Sequence, residues 1–167
     1  MDVDPAERAR EIALRLLSHS PRSAAQLREG LIKREVAPEL AEALIERYRE
    51  VGLIDDTALA AQVARTRHSE RGQSRRAVSM ELRRKGFEAD DIEAALAQID
   101  DDSEREAARA LAQKRWQKLS ELPCEIRSRR IVAMLGRKGY SPGLAFALVR
   151  ELESADSREE GFLEQAW

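Results

Sequence analysis

Lys33-Arg34-Glu35-Val36, Arg84-Lys85-Gly86-Phe87 and Arg137-Lys138-Gly139-Tyr140 are three versions of one short motif. Their first residues are 51 and 53 residues apart. Apolar residues at three further positions keep the same register around the motif: Leu27, Val78 and Ile131; Leu31, Leu82 and Leu135; and Ile45, Leu96 and Val149. A period of this size is typical of stacked supersecondary units, each of which needs a neighbour to cover its apolar face.

Within each repeat, apolar side chains recur every three or four residues, as Ile12 and Leu16 do, and no segment alternates as a strand would. We therefore predict an all-α fold, with three tandem three-helix repeats forming a short, elongated, curved array. The predicted boundaries are residues 1–55, 56–102 and 103–152 for the repeats, and 153–167 for an acidic C-terminal tail.

The motif itself predicts a helix end followed by a turn. Gly86 and Gly139 suit the residue after a helix, because glycine adopts positive φ at little cost. We expect the residue after each glycine, Phe87 or Tyr140, to point inward. We expect the same of Val36, the equivalent residue of the first repeat. The first repeat has Glu35 in place of glycine, so we expect its turn to be distorted or longer.

Composition places the chain among ordinary folded proteins. It has 167 residues, of which 43% are apolar, and a net charge of −2. A chain with this apolar content and so small a net charge is too hydrophobic to be disordered. The single Cys124 cannot form an internal disulfide, which predicts a cytoplasmic protein. The first residues are acidic, unlike a signal peptide, and the longest run without a charge spans 11 residues, 139–149, too short for a membrane helix.

Candidate catalytic groups are few, and each has a simpler structural explanation. Asp55 and Asp56 stand at a predicted helix start, where carboxylates cap free N–H groups. His19 and His68 lack companions at metal-ligand spacing, and Cys124 has no base nearby in the sequence. No phosphate-binding glycine loop is present. We therefore expect no catalytic residue, no metal, no cofactor and no enzymatic activity.

Basic residues recur at matching positions of successive repeats. Arg129 occupies the position of Arg76, and Arg137-Lys138 that of Arg84-Lys85. Exposed helices often carry such charges without a role. The recurrence nevertheless favours a basic stripe along the array that contacts a polyanion or an acidic protein groove. The candidate residues are Arg76, Arg83, Arg84, Lys85, Arg129, Arg137 and Lys138.

These motifs resemble, in their order along the chain, those of the RecX family of bacterial recombination regulators. The resemblance covers about residues 9–152. Two positions depart from the family pattern: Leu59, where an aromatic residue is usual, and Gly143, where an acidic residue is common. The matching segments are Arg22-Ser23 with Leu27 and Leu31; Gly52-Leu53-Ile54-Asp55-Asp56 with Leu59-Ala60; Gly72, Arg76, residues 81–87 and Asp91-Ile92; and residues 135–141.

The resemblance implies a modulator of the RecA recombinase in DNA repair and the SOS response. In that family the modulator lies in the groove of the RecA filament on DNA and lowers its ATP hydrolysis, strand exchange and co-protease activity. For this chain, the sequence leaves open which RecA surface is contacted and whether it acts by filament capping or by groove insertion. We expect a monomer that contacts the filament through the basic stripe, with binding of single- or double-stranded DNA left open and no membrane association.

Two alternatives remain at this point. A helix-turn-helix DNA-binding protein would explain the glycine-linked helices, but the chain is not basic overall and base-reading Asn and Gln are scarce. A scaffold for another helical partner is the second alternative. Inhibition of the DNA-dependent ATPase of RecA at low stoichiometry would distinguish the modulator from both.

Overall fold

The computed structural model describes residues 2–167, and within that range it consists of helices and turns without a strand. The prediction of an all-α fold is confirmed. The described residues form nine α-helices in succession: α1 (Pro5–His19), α2 (Ala24–Ile32), α3 (Pro38–Glu50), α4 (Asp56–Arg65), α5 (Arg75–Arg84), α6 (Ala89–Leu96), α7 (Asp101–Lys118), α8 (Cys124–Arg137) and α9 (Pro142–Gln165). A π-helical turn, Thr66–Glu70, follows α4 directly.

These helices fall into two compact units. The first unit comprises the chain up to Ala64 together with Ser79–Gln98, and the second comprises Arg65–Val78 together with Ile99–Trp167. The middle repeat therefore contributes residues to both units. The segment expected as a separate tail is largely helical, because α9 continues without a break to Gln165.

Each unit has its own apolar core. In the first unit, α1, α2 and α3 bury residues from their facing stripes, including Leu16, Leu31 and Ile45. In the second, α7, α8 and α9 bury an equivalent set that includes Trp116, Leu135 and Leu148. Burial of these stripes, rather than helix propensity alone, holds such short helices in place.

The three motif turns adopt one conformation. In each, the apolar residue after the turn donates its N–H to the carbonyl five residues earlier: Val36 to Leu31 at 3.1 Å, Phe87 to Leu82 at 3.2 Å and Tyr140 to Leu135 at 3.0 Å. Val36, Phe87 and Tyr140 are all buried, as predicted. The residue before each has positive φ, 62° at Glu35, 80° at Gly86 and 93° at Gly139. The prediction of a distorted or longer first turn is wrong, because Glu35 adopts the glycine conformation.

Candidate partner-binding surface

Two of the motif turns are hydrogen-bonded to the start of the second helix of the preceding repeat, α2 or α5. We call these contacts joints. In the first joint, which lies within the first unit, the Ser23 hydroxyl donates to the Lys85 carbonyl at 2.5 Å. Ser23 also caps α2 by accepting from the Gln26 N–H at 3.1 Å. It is fully buried, so one side chain both starts a helix and fixes the basic turn of the following repeat.

The second joint repeats this arrangement within the second unit. Ser74 precedes α5, accepts from the Ala77 N–H at 3.1 Å, and donates its own N–H to the Lys138 carbonyl at 2.9 Å. Two further bonds tie the same turn to the loop before α5. Lys138 Nζ donates to the Arg71 carbonyl at 2.7 Å, and the Tyr140 hydroxyl donates to the Gly72 carbonyl at 2.9 Å. Burial raises the pKa of Tyr140 to about 12, so this phenol stays protonated and can donate.

Each joint has a second contact of the same kind, made by a carboxylate at the start of the next repeat. The Asp56 carboxylate accepts from the Ala24 N–H at 3.0 Å in the first joint. The Glu104 carboxylate accepts from the Arg75 N–H at 3.0 Å in the second. Ala24 and Arg75 directly follow the two serines. These acids therefore satisfy helix-start N–H groups that would otherwise lack a partner.

The prediction that the Asp55-Asp56 pair caps a helix is confirmed for one member. Asp55 accepts from the Ala58 N–H at 3.1 Å at the start of α4. Asp56 instead reaches across to α2, and burial raises the pKa of its carboxyl, an effect that its bond to the Ala24 N–H opposes. The pair thus has two separate structural roles.

Close packing at the joints explains the turn glycines beyond their φ values. A Cβ on Gly86 would overlap Ala25, and a Cβ on Gly139 would overlap Ser74 and Ala77, in each case closer than two side-chain atoms can approach. The two glycines therefore permit both the left-handed turn and the contact between repeats.

At the first joint the candidate basic residues stand on the outside of the turn. Arg83 and Arg84 are exposed at the end of α5, and Lys85 is half-buried with its amine 3.9 Å from Glu81. Arg22, which was not among the predicted site residues, precedes Ser23 and donates from Nε to the Leu16 carbonyl at 3.2 Å. The joint therefore collects basic residues from both of the segments that it links.

At the second joint, Arg76 and Arg137 are exposed and Lys138 is half-buried. The bond from Lys138 Nζ brings the loop of Arg71 to the same turn, so Arg71 is a candidate that the sequence analysis missed. The corresponding residues of the other repeats, Ser20 and Cys124, are not basic, so only the tertiary contact identifies Arg71.

Two further basic residues differ from this group. Arg129 lies on α8 about two turns before Arg137 and is paired with Glu125 at 3.9 Å. Arg75 forms an ion pair with Asp101, whose carboxylate lies 3.1 Å from its guanidinium. The structure therefore gathers three predicted residues at each joint, Arg83, Arg84 and Lys85 or Arg76, Arg137 and Lys138, and leaves Arg129 apart. That all seven form one continuous stripe stays a prediction.

Among residues 2–167, no group of three His, Cys, Asp or Glu side chains is arranged so that it could hold a metal ion. None of the helices in that range is long and apolar enough to cross a membrane. Cys124 is exposed at the first residue of α8.

Comparisons with known proteins give the family of this fold. Three family models match in tandem: the first three-helix domain of RecX over residues 9–47, the second over 55–96 and the third over 102–149. The regulatory protein RecX of Streptomyces coelicolor is 46% identical over 165 residues, covering 95% of this chain and 88% of the relative. That of Thermobifida fusca is 43% identical over 155 residues, covering 93% and 84%.

Solved structures agree at the level of the fold. A crystal structure of RecX from Lactobacillus salivarius superposes with a TM-score of 0.75 at 22% identity, covering 90% of this chain and 97% of that one. A second crystal structure, of regulatory protein RecX, superposes with a TM-score of 0.72 at 26% identity and covers 89% and 72%. With three domain matches in order and high identity over most of its length, the chain belongs to the RecX family.

Proposed function

We propose that this chain is a negative regulator of the RecA recombinase that binds the RecA–DNA filament in the cytoplasm. Its binding lowers ATP hydrolysis, strand exchange and co-protease activity, and the chain acts as a monomer by contact rather than by catalysis. The observation that carries the proposal is family membership across residues 9–149, together with relatives that bear the name regulatory protein.

The basic residues at the joints supply the contact in this proposal. Their guanidinium and ammonium groups stand on helix ends and turns that buried hydrogen bonds hold in place, as at Ser23 and Ser74. Cations on a rigid support lose little conformational freedom on binding, which favours affinity. Carboxylate grooves and phosphate backbones are the two chemistries that such cations recognise.

Repetition adds to this effect. The filament presents the same surface at every subunit, and this chain presents a similar basic turn at Lys85 and at Lys138. When one turn is bound, the second meets its site at high effective concentration, so modest contacts sum to tight binding.

The test is the DNA-dependent ATPase of RecA, measured with a small molar fraction of this protein over a series of salt concentrations. We expect the wild type to inhibit, and inhibition to weaken as salt rises, because salt screens exposed charges. The variant with Arg76, Arg84, Arg129 and Arg137 changed to Ala should inhibit much less while unfolding like the parent, since exposed charges contribute little to stability.

A matched control removes the same number of positive charges elsewhere. Arg105, Lys114, Arg115 and Lys118 are exposed on α7, and their replacement by Ala should leave inhibition close to the wild type. Equal inhibition by both variants would reject the joint residues as the contact. Tight binding to naked duplex DNA with no effect on RecA would instead favour the helix-turn-helix alternative.

A further inference from the structure

In the third repeat, residues of α9 contact the position that the first two repeats use for their joints. Four residues before the buried Leu27 and Val78 stand the joint serines, Ser23 and Ser74. The same distance before the equivalent Ile131 stands Arg127. Position for position, Arg127 and Ser128 correspond to the residue pairs that the first two repeats use to hold their successors.

Here α9 supplies the partners that the following repeat supplies at the two joints. Arg127 donates to the Asp156 carboxylate at 3.2 Å, and its guanidinium lies 4.2 Å from the centroid of the Trp116 ring. The Trp116 indole N–H donates to the same carboxylate at 2.9 Å. The Asp156 carboxylate therefore links the end of α7 to the beginning of α8. It does so beside a buried aromatic ring, because Trp116 is only 4% exposed.

The next residue along α8, Ser128, also has its hydrogen-bond partner in α9. At the two joints, a carboxylate of the following repeat accepts from the N–H of the residue after the serine. Here the Ser128 hydroxyl donates to the Glu153 carboxylate at 2.6 Å. Glu153 therefore occupies the role of Asp56 and Glu104, although it follows the last repeat instead of starting a new one.

The helix that carries Glu153 and Asp156 is longer than the third helices of the first two repeats. The third helices of the first two repeats, α3 and α6, have 13 and 8 residues, whereas α9 has 24. Asp156 lies beyond the length of both helices, and Glu153, the twelfth residue of α9, lies beyond the length of α6. Arrays of repeats need a terminal element that covers the last apolar face with a polar outer surface.

We propose that residues 153–156 of α9 are a cap for the third repeat, at the position that a following repeat covers in the first two repeats. The cap covers Trp116 and pairs Arg127, and the residues beyond it add little to this function. The proposal concerns the folded chain itself and does not depend on RecA.

Tryptophan fluorescence tests the proposal, because the chain has only two tryptophans. Two truncated chains both lack Trp167, one ending at Leu152 and the other at Gly161. The chain ending at Gly161 keeps the cap, so we expect Trp116 emission that is shielded from iodide and a thermal midpoint like that of the full chain. The chain ending at Leu152 should show red-shifted emission, several-fold stronger quenching and a lower midpoint.

A second pair of variants serves if the shorter chain does not fold. In a full-length Trp167→Phe background, Asp156→Ala should increase quenching of Trp116, because the carboxylate that accepts from Trp116 and from Arg127 is lost. Glu159→Ala, on the same helix but exposed, should not. If the two truncated chains melt and quench alike, or if Asp156→Ala leaves Trp116 as shielded as Glu159→Ala does, residues 153–156 are not a cap.

Discussion

The motif turn of the first repeat and that of the third have one backbone conformation but different residues at its critical position. Glu35 stands at φ 62° and Gly139 at φ 93°, with matching hydrogen bonds and a buried residue next in the chain. Both residues are in the left-handed region, and a side chain is accepted at one of them despite the strain that it brings. The difference is the neighbour, because Ser74 and Ala77 pack onto Gly139 in the second joint. The left-handed conformation alone therefore does not require glycine here, whereas the contact between repeats does.

The sharpest way to break this comparison is Gly139→Ala. The added Cβ would both strain the left-handed backbone and overlap Ser74 and Ala77. Strain of about 1–2 kcal/mol and overpacking of about 1–3 kcal/mol should together lower the free energy of unfolding by about 2–5 kcal/mol. Urea denaturation followed by circular dichroism measures this loss.

Gly136 provides the matched control three residues earlier. It lies within α8, has no neighbour within 4 Å of a built Cβ, and does not adopt positive φ. Gly136→Ala should stabilise the protein by up to about 1 kcal/mol through helix propensity. Equal effects at the two glycines would mean that the second joint is not packed as described.

The converse change, Glu35→Gly, sharpens the comparison from the other side. Glycine removes the strain of positive φ at a turn that takes part in neither joint. It also gives the unfolded chain more conformational freedom, which lowers stability and offsets part of that gain. We expect a net gain of about 0.5–1 kcal/mol in the free energy of unfolding by the same denaturation assay. A loss of stability would show that the Glu35 side chain makes a contribution that outweighs its strain.

The smallest expected effect concerns Asp56, the acid of the first joint. Burial raises the pKa of this carboxyl, so the folded state holds its proton more tightly than the unfolded state does. The charged form is then a cost that grows as pH rises from the ordinary aspartate pKa through the raised one. Asp56→Asn keeps an oxygen for the Ala24 N–H and removes the charge. It should slightly stabilise the protein at pH 7, with the gain vanishing in acid.

Thermal unfolding of Asp56→Asn between pH 3 and pH 7 measures this dependence, a range that spans the ordinary pKa of Asp, about 3.9. Asp90→Asn makes the same charge change at an exposed position in the first turn of α6 and should not stabilise the protein at pH 7, because a carboxylate there interacts favourably with the helix dipole. A gain for Asp56→Asn that increased toward acid would have the wrong sign and would refute burial as the dominant influence on the pKa of Asp56.

The sequence by itself determined the helices, their grouping in threes, the inward residues Val36, Phe87 and Tyr140, and the family. These follow from spacing along a single chain, because helical periodicity and turn chemistry are local. It also identified most of the basic residues that stand at the joints, since they recur with the repeat.

Only the tertiary structure decided which residues meet across long separations. Ser23 bonds to a carbonyl 62 residues away, and Trp116 bonds to a carboxylate 40 residues away. Arg71 joins the second joint through such a contact, and Glu153 and Asp156 read as part of an acidic tail until their partners are known. A serine or a carboxylate has the same local preferences in any surface helix, and its role depends on the groups that folding places opposite it.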